Sequence, residues 1–210
     1  KSQLATEAAL KEIDSPHILH IATHGFFLKN INVSDANMET RGITKVSNDS
    51  QTFNDLSSQK KIKNPLLASG IALSGANKFN IDLDIKAEED GIVSAMEIMG
   101  LNLSGTNLVV LSACNTGVGD VERGQGIFGL RRAFQIAGAK SLLTTLWKIP
   151  DRETVDLMRR FYLNLSGGKS KIDSLNLSIK DTILEIKNIR GTDHPFYWGG
   201  FILIGDPGLN

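Results

Sequence analysis

Apolar residues follow two rhythms along the chain: short unbroken runs, and longer stretches repeating every three or four positions. The runs are HILHIAT (17–23), LLASGIAL (66–73), NLVVLSA (107–113), KSLLTTL (140–146) and FILI (201–204). Short continuous runs rich in Leu and β-branched residues suit strands buried on both faces, as in parallel sheets, and 107–113 is the clearest. The helical rhythm predicts a short helix within 1–14, with Leu4, Ala8 and Leu10 roughly on one side. It predicts a second over about 125–137, stopped by Gly138. A third begins at Pro150, a residue suited to the first helical position, and runs to about Leu165 before Gly167-Gly168. The longest carries Ile172, Leu175, Ile179, Ile183 and Ile186 on one stripe. Ser94 with Glu97 has the form of a capping box opening a short helix through Met99. Between 29 and 64 both rhythms fail and Asn, Ser, Asp, Thr and Lys dominate, so this stretch reads as a flexible insertion loop. Strands alternating with helices of about ten or more residues predict one α/β domain, its helices covering a mostly parallel sheet.

Composition narrows the class. Of 210 residues 41% are hydrophobic, and 23 Lys+Arg balance 23 Asp+Glu. That apolar content excludes a disordered segment, and the absence of a basic excess argues against direct nucleic-acid binding by this domain. No run approaches the roughly 18 apolar residues of a membrane span. No signal peptide is visible. The one cysteine, Cys114, has no internal partner for a disulfide, so a cytoplasmic location is expected. Lys1 in place of an initiator Met suggests an excised domain or processed subunit.

Two of the strands end in reactive residues. The run at 17–23 leads into His24-Gly25, and the run at 107–113 leads into Cys114. Ligands in open α/β sheets bind beyond the carboxyl ends of the strands. If these two strands are parallel neighbours, His24 and Cys114 share a rim although 114 − 24 = 90 positions separate them. A thiol needs a base to become thiolate near neutrality, and imidazole is the natural partner. The N–H groups of Gly25 and Cys114 could form an oxyanion hole. The bland alternative is a buried small hydrophobe at Cys114 and a capped strand-end residue at His24. Spacing alone leaves both open.

Other motifs carry less. His20 and His24 are four apart, a zinc spacing on a helix but about 13 Å on a strand; no metal site is expected, and His20 reads as a core or supporting residue. His194, before Pro195, reads as a turn residue. Gly124-Gln125-Gly126-Ile127-Phe128-Gly129 matches the dinucleotide fingerprint, yet 114–123 separate it from the strand it should follow, and Asp120 and Glu122 crowd an anion. These glycines read instead as a loop passing close to Cys114, and no cofactor is expected. Arg131-Arg132, Lys60-Lys61 and Lys169/Lys171 read as solvated charges.

Six blocks, in order, resemble one family. They are HILHIATHGFF (17–27), NPLLASGIALSGAN (64–77), DGIVSAMEI (90–98), the long LVVLSACNTG…LWKIPD block (108–151), LMRRFYLNL (157–165) and HPFYWGGFILIGDP (194–207). Together they resemble the CHAT domain, a relative of caspases, separases and gingipains. The resemblance implies a caspase-like three-layer α/β/α sandwich and a cysteine endopeptidase with His24 and Cys114 as its dyad. It also implies an oxyanion hole of the Gly25 and Cys114 amides. The chain departs from the family's frequent acidic residues at Asn115 and Gln125, which touches substrate preference. Acidic Asp120, Glu122 and Asp151, in loops near the strand ends, are the candidates for a pocket selecting a basic P1 residue. The resemblance further implies that 1–210 lacks the family's first strands. It suggests an upstream sensor or partner, tetratricopeptide-like in many members, activating cleavage of a protein substrate in bacterial signalling or defence. A catalytically silent regulatory module on the same fold is the alternative.

Overall fold

The computed structural model describes residues 5–27, 32–33, 60–61, 66, 69–76, 90–113 and 124–208. Within these the chain runs α1 (Glu7–Lys11), β1 (Ile18–Phe27), β2 (Asn32–Val33), β3 (Lys60–Lys61), β4 (Ser69–Ala72), β5 (Ile92–Ser94), α2 (Ala95–Ile98), β6 (Leu108–Ala113), α3 (Gly124–Ile136), β7 (Ser141–Thr145), α4 (Asp151–Ser166), α5 (Lys171–Arg190), a 3₁₀ turn (Pro195–Tyr197) and β8 (Phe201–Gly205). Six strands form one sheet in the order β5-β4-β1-β6-β7-β8. β1, β6 and β7 pair in parallel at its centre, while β4 and β8 pair antiparallel with their neighbours. As β5 is antiparallel to β4, four of the six strands point the same way. Of the stretch 29–64, only Asn32–Val33 and Lys60–Lys61 are described, and they pair with each other.

The sheet divides two apolar clusters. Toward its first face Ile21, Val109, Leu111 and Leu142 meet Leu10 of α1, Ile98 of α2 and Leu130, Ala133 and Phe134 of α3. Toward its second face Leu108, Val110 and Leu143 meet Leu157, Met158 and Phe161 of α4 and Leu175 of α5. Alternate residues of β6 therefore feed opposite clusters, and Leu108–Leu111 are at most 2% exposed. This is the α/β fold that the two rhythms predict, compatible with a caspase-like sandwich.

Local chemistry holds the ends. Ser94 accepts from the Glu97 N–H, and Glu97 Oε2 accepts from the Ser94 N–H at 2.9 Å, so the capping box forms as read. α3 stops before Gly138, whose φ of +105° suits glycine. Pro150 stands just outside α4, as its cap, rather than at the first helical position. α1 is shorter than the predicted helix. Its Thr6 hydroxyl accepts from the Ala9 N–H, and its buried Glu7 accepts from the Gly91 N–H at 3.2 Å and pairs with Lys11 at 2.6 Å. Burial raises the Glu7 carboxyl above its ordinary range, because the Lys11 contact does not fully offset lost hydration.

Three expectations are corrected. β1 is not buried on both faces: Ile18, His20, Ala22 and His24 are exposed on the second face, where α4 and α5 lie over β6 and β7 instead. Gly124, Gly126 and Gly129 are not loop residues but lie in the first turns of α3; burial of Leu130, Ala133 and Phe134 outweighs glycine's helical cost of about 1 kcal/mol each. Lys171 is not solvated. It is 2% exposed, and its ammonium donates to Asn107 O and Oδ1, Ser141 Oγ and Asp206 Oδ2.

Candidate functional site

The site is built where two central strands end. β1 and β6 lie side by side in parallel from Ile18↔Leu108 to Thr23↔Ala113. Above that last pair β1 continues and changes partner, since His24↔Ala72 through Phe27↔Ser69 pair antiparallel with β4. His24 is thus the first β1 residue beyond the β6 ladder. Its side chain is exposed, on the same face as Ile18, His20 and Ala22, whereas Gly25 is buried opposite Ile71.

Thr23 fixes this changeover. Its hydroxyl donates to the carbonyl of Ala72, the β4 residue that faces His24. A β-branched side chain is stiff about χ1, so this bond holds β1 in place one residue before the histidine. Sequence reading passed over Thr23. Its only signal is a hydroxyl in an otherwise apolar run, and that does not name a partner 49 positions away.

The strands bring His24 and Gly25 to the rim where β6 ends at Ala113. Cys114, the residue bonded to Ala113, lies outside the described residues, as do Asp120 and Glu122. Asp151 is exposed at the first position of α4, following the turn that leaves β7 on the same side of the sheet.

His20 is not a core residue: its side chain is exposed on the second face. It lies on a strand, not a helix, and its Nδ1 is 3.0 Å from the Tyr162 hydroxyl of α4, with the rings 5.7 Å apart. Desolvation against that ring holds the His20 imidazole below its ordinary value, and burial pushes the Tyr162 phenol up to about 12. Tyr162 therefore stays neutral near pH 7 and can donate to a neutral imidazole. His194 is a turn residue as read, its Nδ1 accepting from the Phe196 N–H at 3.1 Å. Among the described residues, no group of three His, Cys, Asp or Glu could hold a metal ion, and no helix is long and apolar enough to cross a membrane.

Comparison with known proteins gives two findings. The sequence profile of the CHAT domain matches residues 2–206. Tetratricopeptide repeat protein 28 of mouse is 33% identical over 114 residues, and its human counterpart 30% identical over 114. Each alignment covers 54% of this chain and 4% of the relative, so the chain matches a small part of much longer proteins.

Proposed function

Because the chain belongs to the CHAT domain family, itself related to caspase-like cysteine peptidases, we propose that it is the catalytic domain of a cysteine endopeptidase acting through a Cys114–His24 dyad. One observation carries the reading. Thr23 and Ala113 are partners at the end of two adjacent parallel strands, and the residues that follow them in sequence are His24 and Cys114.

The chemistry is that of acyl transfer. His24 takes the Cys114 proton, and the thiolate attacks the scissile carbonyl carbon to form an S–C bond. The Gly25 and Cys114 amides donate to the developing oxyanion, each such donor contributing on the order of 10²–10³ in rate. The C–N bond breaks as His24 returns the proton to the leaving amine. His24 then activates a water that cleaves the thioester, releasing the acid and restoring the thiol. A basic P1 residue is held by Asp120, Glu122 or Asp151. The matched relatives are named for tetratricopeptide repeats, which supports a helical-repeat regulator upstream or in trans.

A peptide pool with varied P1 residues tests the reading, with the regulator supplied. Cys114→Ala and His24→Ala should each lower cleavage by on the order of 10⁴-fold or more while Tm stays nearly constant. Retained cleavage in Cys114→Ala would sink the dyad. Alkylation gives a second readout: a thiol activated by an imidazole reacts with iodoacetamide well below its free pKa of about 8.5, and a silent module's does not.

A further inference from the structure

Past Thr23 the outer part of β1 leaves β6, and among the described residues its ladder from His24 to Phe27 is with β4 alone. Where His24 stands above the end of β6 is therefore set by β4. That strand has four residues, and beyond it lies β5, a three-residue strand at the edge of the sheet. Short edge strands open readily, so their ends need fixing from outside the sheet.

α1 supplies the fixing. Glu7 is 2% exposed, and its Oε2 accepts from the N–H of Gly91, the residue just before β5 and 84 positions away. The Gly91 carbonyl accepts in turn from the Leu73 N–H at 2.7 Å, and Leu73 directly follows β4. The next N–H, that of Ser74, donates to the Ala5 carbonyl at 2.9 Å. At the other end of β5 the Glu97 carboxylate accepts from Ser94. Lys11 reaches Glu7 at 2.6 Å and Glu97 at 3.5 Å, so one ammonium joins the carboxylates that hold both ends of β5. Burying a carboxylate costs more than burying an apolar side chain of its size, so packing alone does not account for Glu7. From Gly91 the path to the histidine is short. It runs to Leu73, to Ala72 before it, across to the Thr23 hydroxyl and to His24 beside Thr23.

We propose that Glu7 is a positioning residue for His24, acting through Gly91, β4 and Thr23. These bonds fix the outer part of β1, and with it the imidazole, relative to the carboxyl end of β6. The clamp on β1 stands without the peptidase reading; its effect on turnover rests on that reading.

Hydrogen exchange and steady-state kinetics on Glu7→Leu, Glu7→Gln and Thr23→Val test this in the whole chain, with the regulator supplied for cleavage. Leucine fills the Glu7 site without an acceptor, glutamine keeps one, and valine removes the Thr23 hydroxyl alone. In Glu7→Leu and Thr23→Val the protected amides from His24 to Phe27 should exchange at least about tenfold faster, and those of Val109–Leu111 in the β6–β7 ladder at an unchanged rate. In both, kcat should fall by about 10²-fold, the scale of an ångström-sized misplacement, with KM within about twofold. Glu7→Gln should recover most of the loss. The double variant Glu7→Leu/Thr23→Val should lose little more than the larger single loss, because both act on one path. Equal acceleration in both ladders is lost global stability and overturns the proposal. So do unchanged exchange from His24 to Phe27, a change in KM alone, and losses that multiply in the double variant. Native-state exchange of the wild type needs no variant to fold: the amides of Gly91, Leu73 and His24 to Phe27 should open as one unit under rising urea, and separate openings overturn the clamp. A wild type that cleaves no peptide while the variants loosen only His24 to Phe27 leaves the clamp standing and counts against the peptidase alone.

Discussion

Four oxygens converge on the ammonium of Lys171: Asn107 O and Oδ1, Ser141 Oγ and Asp206 Oδ2, all within 3.3 Å. An ammonium has three N–H donors, so one contact is shared. The cluster ties the first residue of α5 to the amino ends of β6 and β7 and to the exit of β8. Lys171→Met should cost about 1–3 kcal/mol in urea denaturation through the acceptors it orphans. Asp206 reports the same cluster by titration. The Gly208 N–H and then Lys171 hold its carboxyl below its ordinary value of 3.8. A depressed folded-state value makes ionisation favour the fold, so that contribution is complete above pH 3.8 and is lost as pH falls through the folded-state value. The stability gap between wild type and Asp206→Asn should therefore be constant from pH 5 to 7 and shrink below about pH 4. A constant gap down to pH 2 would contradict the assignment. Nothing in the local sequence separates Lys171 from the solvated Lys169, since both stand near a helix start; only the strand ends beneath Lys171 do.

At the scale of elements, α3 and α4 differ in how completely each is used. α3 buries Phe134 completely, and Phe134→Ala should cost about 3–5 kcal/mol. On α4, Leu163 is 62% exposed, and Leu163→Ala should change the stability of the isolated chain by no more than about 0.5 kcal/mol. Chemical denaturation of the pair would show whether the α4 flank is free in this chain. The turn after α3 is a third test. A Cβ on Gly138 would stand 2.8 Å from Ser104 backbone atoms at a φ of +105°, so Gly138→Ala should destabilise by about 1–3 kcal/mol. The glycine stop was legible in the sequence because helix ends favour left-handed glycine. The helical state of Gly124, Gly126 and Gly129 was not, because their local preference runs against it and the buried stripe that follows decides.

For the whole molecule the sheet is a partition. Ile98 belongs to the cluster on its first face and Ile149 to the cluster on its second, both at most 2% exposed. Ile98→Val and Ile149→Val should each cost about 0.5–1.5 kcal/mol, and with no shared neighbours their double variant should lose the sum to within about 0.5 kcal/mol. A clear excess over the sum would mean that the sheet transmits strain between its faces.

The sequence by itself determined the main periods: five of the six strands of the sheet (β5 at Ile92–Ser94 was too short to show one) and the longer helices, the capping box at Ser94, the glycine stop at Gly138, and His24 and Cys114 each directly after an apolar run. These follow from side-chain spacing and backbone preference, which act over a few residues. Only the tertiary structure decided that β1 lies against β6 in a register ending at Thr23↔Ala113. It also decided that Thr23 bonds across to Ala72, that Lys171 is buried, and that β1 keeps one face open. Each of these depends on groups tens of residues apart along the chain. The same apolar run reads alike whether a helix covers it or not, because burial belongs to the neighbours that pack against a strand and not to the strand alone.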